Sequence, residues 1–182
     1  MANETCLLTS SYDGVDCPKP TPGARRVVYF ANLSEITTWT AGATGIYTNF
    51  SLASGASLYS FETSKDTLIG SEALVGAAED QGAYDQDVAL MLKSMSIGSR
   101  NAVNDLNGTD LVAFVPTKQG EVLIIGKDLG CRMIENTAST ATDAYGETVL
   151  LRATQMKEKR FHLDAGGIDA TIALLESKIT AS

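Results

Sequence analysis

The chain has 182 residues, enough for one domain or one domain with an added segment. Hydrophobic residues make up 44% of it and charged residues 20%, as is typical of a globular protein with a buried core. The 22 acidic residues outnumber the 14 basic ones and give a net charge of −8, which argues against a protein that grips nucleic acid through positive charge.

The excess of acidic residues has two possible explanations, and composition alone does not distinguish them. It can serve solubility, or it can form a surface past which DNA slides without binding. No stretch approaches the roughly 20 apolar residues of a membrane span, and the start lacks the basic and apolar regions of a secretory signal. We therefore expect a protein that is made and folded in a cytoplasm, with no membrane partner.

The segment 1–23 differs from the rest of the chain. It contains two cysteines and three of the four prolines, namely Cys6, Cys17, Pro18, Pro20 and Pro22. Proline lacks a backbone donor and fixes φ, which excludes a central strand or helix. We predict an extended arm, either lying over its own domain or reaching a neighbouring subunit. An odd number of cysteines favours free thiols, and whether Cys6 and Cys17 bond after release from the cell stays open.

The first half of the remaining chain is dominated by strand patterns. β-Branched and aromatic residues recur between glycine-containing turns, which favours short strands. Strands are predicted at 25–32, 36–40, 46–52, 57–63, 67–75 and 84–95. The polar break 64–66 is of hairpin length, so we expect the segments 57–63 and 67–75 to pair with each other.

The second half alternates between strands and two helical patterns. Residues 97–107 have helical spacing, with Ser96 or Ser99 as the cap. Strands are expected at 111–115, 121–125 and 147–154, a hairpin turn at 126–130, and a loop or hairpin tip at 136–144. Ile168, Ile172, Leu175 and Ile179 predict a final amphipathic helix.

These elements predict a mainly β fold, a β-sandwich or barrel with long hairpins, one short helix and a C-terminal helix. The expected organisation is an arm at 1–23, a β domain at 24–163 and a helical segment at 164–182.

The chain carries no recognisable motif for catalysis. His162 is the single imidazole and has no nucleophile motif to pair with it. The segment 126–130 lacks the first glycine of a phosphate-binding loop and has Asp128 where such a loop needs Ser or Thr. Asp85 and Asp87 share one face of a strand, but no third ligand accompanies them. We expect neither an enzyme nor a metal or cofactor site.

Several segments resemble phage tail tube proteins. The hairpin-like stretch 110–130 after a short helix is similar to a segment of that family, as are the polar run 136–146 and the strand 147–154. The opening, with Cys6, Cys17 and then 26–32, is similar to virion proteins of phages that infect Bacteroidetes-type bacteria. The resemblance covers most of residues 5–155.

The resemblance implies six-membered rings that stack into a tube, with hairpins from the subunits joining into a barrel around the DNA channel. The partners would be further copies of the chain and other tail proteins, with genomic DNA passing through without specific binding, and the location would be the virion tail.

We expect the hairpin region 57–76 with 84–95 to line the channel. The candidate channel-facing acids are Glu62, Asp66, Glu72, Asp85 and Asp87.

Two alternatives remain open. A tail terminator, connector or hub would form a single ring that does not polymerise. A monomeric β-sandwich that binds carbohydrate or a host surface would use exposed aromatic residues, for which Trp39, Tyr47, Phe50, Tyr59 and Phe61 are the candidates.

Overall fold

A computed structural model describes residues 23–63, 67–75, 83–93, 96–141, 145–156 and 161–179. In this part of the chain there are eleven strands and two α-helices. The strands are β1 (Val27–Asn32), β2 (Ile36–Ala41), β3 (Ile46–Leu52), β4 (Tyr59–Glu62), β5 (Ile69–Val75), β6 (Ala83–Leu92), β7 (Leu111–Pro116), β8 (Val122–Ile125), β9 (Arg132–Ser139), β10 (Gly146–Met156) and β11 (Phe161–Leu163). The helices are α1 (Ile97–Leu106) and α2 (Ile168–Glu176), and a single 3-10 turn spans Leu33–Glu35.

The strands form two sheets. The larger has the order β2-β3-β11-β8-β7-β1-β4, and the smaller has the order β5-β6-β10-β9. Each sheet ends in two strands that pair on one side only within the described residues, so neither closes on itself. The predicted mainly β, sandwich-like fold is confirmed, and the barrel alternative is wrong.

The core lies in two layers, one on each side of the seven-stranded sheet. Between the sheets, Val88 and Leu90 of β6 pack with Val115 of β7 and Val149 of β10. On the other side, strands of the same sheet pack against α2, with Leu175 fully buried. β7 is therefore buried along its whole length, because apolar layers cover both of its faces.

Strand β6 crosses the larger sheet instead of following its strands. Near the start of β6, the amide of Gln86 accepts a hydrogen bond from Gly126, at the end of β8. At its other end, Leu92 lines a cleft together with β4. Since β8 and β4 are separated by two strands, the two sheets pack at a large angle to each other.

Local sequence signals explain both helices. Ser96 caps α1 by accepting a hydrogen bond from the Ser99 amide at 3.1 Å, as its position predicts. Ahead of α2, the carboxylate of Asp164 accepts hydrogen bonds from the amides of Gly166 and Gly167. These two hydrogen bonds hold the pKa of Asp164 below its usual value, and the one from Gly167 has the larger effect. No helix in the described part of the chain combines the length and the apolar character needed to cross a membrane.

The predicted pairing of 57–63 with 67–75 is wrong. β4 pairs with β1 in the larger sheet, whereas β5 pairs with β6 in the smaller one. Phe61 of β4 packs edge-on against Phe30, and Leu68, just before β5, is buried between the sheets. The chain crosses from one sheet to the other here, and apolar residues on both sides of the crossing join the same core between the sheets.

Two further local predictions need correction. The turn 126–130 does not close a hairpin, since β8 and β9 belong to different sheets and the turn carries the chain between them. Residues 136–139, predicted as loop, form the end of β9 and pair with β10. Their polar composition does not prevent strand pairing, because most of their side chains point to solvent and need no apolar surroundings.

Candidate assembly surface

The four-stranded sheet has one covered face and one outward face. Along β6, Gln86, Val88, Leu90 and Leu92 are buried against the larger sheet, and the residues between them are only partly covered. The register with β6 then shows which residues of the neighbouring strands point outward, because directly opposite residues point to the same face of a sheet. The outward face thus carries Asp85, Asp87, Ala89 and Met91 of β6 with Thr148, Leu150 and Arg152 of β10.

An ion pair occupies the middle of this outward face. Asp87 and Arg152 are directly opposite in the β6–β10 ladder, and the guanidinium donates through Nε at 2.6 Å and Nη2 at 2.7 Å. The hydrogen bonds to Asp87 raise the pKa of Arg152, and the charge of Asp85 adds to the effect. Asp85 and Asp87 share a face as predicted, but the charge of Asp87 is neutralised locally.

A second pair lies at the start of β9. Arg132 donates to both carboxylate oxygens of Asp110, through Nη2 at 2.9 Å and also through Nε. The hydrogen bond from Arg132 is the main reason that the pKa of Asp110 is lowered. With Glu135, which pairs opposite Leu150, the outward face of the sheet holds three acids, Asp85, Asp87 and Glu135, and two arginines, Arg132 and Arg152.

The other predicted channel acids lie elsewhere. Glu72 sits opposite Gln86, on the covered side of the sheet, and accepts a hydrogen bond from Gln86 Nε2 at 3.3 Å. Glu62 is an exposed residue of β4, in the larger sheet. Asp66 falls outside the described residues. The four described acids therefore do not form one surface, and among them only Asp85 and Asp87 lie together.

The two edges of the smaller sheet carry exposed apolar side chains. On β5, the exposed fractions of Ile69, Leu74 and Val75 are 55%, 61% and 44%, and on β9 that of Ile134 is 52%. Within the described ranges neither strand has a partner on its outer side. Unpaired backbone groups beside apolar side chains are the usual features of an edge that joins another chain.

Sequence reasoning missed the arginines and the β9 edge. The position of Arg152 could be predicted, because it lies in the predicted strand 147–154, where a side-chain period of two places it on the face opposite Val149 and Leu151. The β9 edge could not be predicted, since residues 136–139 have a loop-like composition. The predicted arm residues Cys6, Cys17, Pro18, Pro20 and Pro22 lie outside the described residues. The described chain begins at Gly23, whose carbonyl accepts a hydrogen bond from Lys118.

The residues that the sequence offers for acid–base or metal chemistry have these surroundings in the structure. His162 Nδ1 lies 3.7 Å from a carboxylate oxygen of Glu121, and no group of three potential metal ligands occurs in the described ranges. Cys131 is buried and donates to the Leu111 carbonyl at 3.1 Å. Burial raises the pKa of its thiol to about 12, which makes it a poor nucleophile at neutral pH.

The aromatic residues proposed for sugar binding are mostly core. The Trp39 ring lies 5.4 Å from Tyr47 and 5.5 Å from Phe50, and Phe50 stacks on Phe114. The Lys127 ammonium lies over this cluster, 5.0 Å from the centre of the Tyr47 ring. Phe61 is partly buried, and only Tyr59 of the five is largely exposed. They do not present the flat exposed platform that sugar stacking requires.

Compared with known proteins, the chain matches no family model, no curated protein and no solved structure. The interpretation of the surface therefore depends on its own geometry.

Proposed function

We propose that this protein is a virion structural subunit that joins edge to edge into rings, which stack into a phage tail tube for the passage of DNA. The observation that carries the proposal is the four-stranded sheet, whose two unpaired edges both expose large apolar residues. A closed ring removes such edges, and assembly covers their apolar side chains.

The strand directions suit such a ring. Every neighbouring pair in the smaller sheet is antiparallel, so β5 and β9 run in opposite directions. A rotation about an axis along the strands preserves these directions. It would bring β9 of one copy against β5 of the next as an antiparallel pair, and each junction would continue the sheet without a break.

The dimensions also suit a conduit. Six copies, the number implied by the resemblance, would contribute 24 strands. At about 4.8 Å between strands, the circumference would be roughly 115 Å and the backbone diameter roughly 37 Å. Side chains would narrow this opening but leave a hole wide enough for a DNA duplex.

The outward face is suited to line that hole. The other face is covered by the larger sheet, so the face with Asp85, Asp87 and Arg152 is the one that can point inward. Its three acids outnumber its two arginines, and Arg152 is paired with Asp87, so the face presents no excess of positive charge to phosphate. DNA would slide past without being held.

The test is the assembly state of the purified protein, measured by light scattering and negative-stain electron microscopy of one sample. Tubes support the tube subunit, and single rings support the terminator, connector or hub alternative. We expect Ile134→Lys, on the β9 edge, to abolish assembly, because a charge there opposes burial. Ile97→Lys is the matched control, since Ile97 is also exposed but lies on α1. A protein that stays monomeric at high concentration overturns the proposal.

A further inference from the structure

The structure assigns a register to the junction between copies. We propose that β9 of one copy pairs antiparallel with β5 of the next over their full length, with Arg132 opposite Val75 and Ser139 opposite Ile69. The inference rests on the proposed ring and specifies its contact residue by residue.

The two edges match in length. β5 has seven residues, and β9 has eight. The β9–β10 ladder is irregular at Ile134, which has no partner in β10, because Glu135 pairs with Leu150 and Met133 with Leu151. The extra residue of a bulge is unpaired, and the alternation of side chains between the two faces of the sheet continues on either side of it. β9 therefore offers seven pairing positions to the seven residues of β5.

The faces of the two edges match in the same register. On β5, Ile69, Ser71, Ala73 and Val75 point outward, as their partners on β6 show. On β9 the outward residues are Arg132, Glu135, Thr137 and Ser139. Full overlap places each outward residue opposite an outward one, including across the bulge. A shift by one residue would oppose side chains on different faces, so only shifts by two compete with it.

Side-chain chemistry favours full overlap over those shifts. On the covered face it places Met133 opposite Leu74, and Asn136 opposite Glu72, an amide beside a carboxylate. On the outward face Glu135 meets Ala73, so no like charges are opposed. A shift by two in one direction puts Met133 against Glu72, and in the other direction it puts Asn136 against Leu74. Both shifts break the apolar pair and the polar pair together.

Two-fold pairing of identical edges is less favourable. Full overlap of β5 with a second β5 places Glu72 opposite Glu72, a like-charge contact that destabilises a strand pair. Full overlap of β9 with a second β9, with the bulged Ile134 again left out, matches the faces, but it opposes Met133 only to Ala138 and leaves the β5 edges of both copies unpaired. Pairing of β5 with β9 covers both kinds of edge without a like-charge contact, and such head-to-tail contacts build rings.

Disulfide trapping tests the register in the full chain. In a Cys6→Ser, Cys17→Ser background, Ala73→Cys is combined with Glu135→Cys, the pair opposed at full overlap. The matched control combines Ala73→Cys with Thr137→Cys, two residues away on the same face. Directly opposed residues lie within the distance that a disulfide spans, and diagonal ones lie beyond most of that range. Within one subunit β5 and β9 are three strand spacings apart, about 14 Å, which excludes an internal bond.

On mild oxidation we expect the Ala73/Glu135 variant to form a ladder of cross-linked oligomers on a non-reducing gel, and the Ala73/Thr137 variant to remain largely monomeric. Preferential cross-linking of the control, or no cross-linking in either variant while microscopy shows rings, overturns the register and leaves the ring intact. Monomers by microscopy with no cross-linking overturn both the register and the proposed function.

Discussion

Replacing Gly126 with alanine tests the turn that carries the chain from one sheet to the other. Gly126 has a φ of +76°, and a Cβ atom added there would lie 2.7 Å from the Cys131 nitrogen and 2.9 Å from the Leu111 carbonyl oxygen. Both contacts are backbone atoms, which cannot rotate away as a side chain does. The turn must shift, together with the hydrogen bond that Gly126 donates to Gln86.

The expected cost has two parts. A left-handed backbone conformation costs a non-glycine residue about 1–2 kcal/mol. Overpacking at a closed site adds about 1–3 kcal/mol. We therefore expect Gly126→Ala to lower the free energy of unfolding by about 2–5 kcal/mol.

The assay is urea denaturation monitored by the fluorescence of Trp39, with Gly55→Ala as the control. Gly55 has a similar φ of +83°, but no heavy atom lies within 4 Å of its added Cβ. The control should show the conformational cost alone, so the difference between the variants measures the steric part, about 1–3 kcal/mol. Equal losses of stability in the two variants would refute the steric argument.

Three further predictions concern buried polar groups and the aromatic cluster. Gln86→Leu leaves the buried Gly126 amide without its acceptor and should lower the unfolding free energy by about 1–3 kcal/mol, measured by the same denaturation. Lys127→Met removes the cation over the aromatic rings and should cost about 1 kcal/mol, whereas Lys127→Arg should cost less. In a Cys6→Ser, Cys17→Ser background, Cys131 should resist alkylation at pH 8 until denaturant is added. Because its folded pKa is raised to about 12 from the usual 9.0, its contribution to stability should be constant below pH 9 and fall as the pH rises toward 12. Rapid labelling of the native protein would contradict this account.

Sequence patterns located most elements but not their partners. The alternation in β6, the Ser96 cap of α1 and the apolar spacing of α2 are local signals, and the structure confirms the first two and the presence of α2. The predicted helix is too long at its end, because α2 stops at Glu176 and Ile179 instead forms a bridge with Leu58. The pairing of β4 with the distant β1 depends on packing, such as that of Phe61 against Phe30, and on the path of the intervening chain. No feature of the residues between β4 and β5 distinguishes a hairpin from a crossing between sheets.

The same limit applies to the candidate surface. A period of two places Asp85 and Asp87 on one face from the sequence alone. The face of Glu72 depends on its register with β6, and that register is set by how the strands pair and not by the residues of β5. The neutralisation of Asp87 required knowing that Arg152, 65 residues later, lies directly opposite.

The count of strands in the smaller sheet has a consequence for how such a ring can vary. With four antiparallel strands, an even number, the two edges run in opposite directions and a head-to-tail junction stays antiparallel. One extra strand would make the number odd, and every junction in the ring would become parallel. In the proposed ring, the circumference could therefore grow by whole hairpins or by additional copies without changing the type of junction, whereas a single added strand would change it.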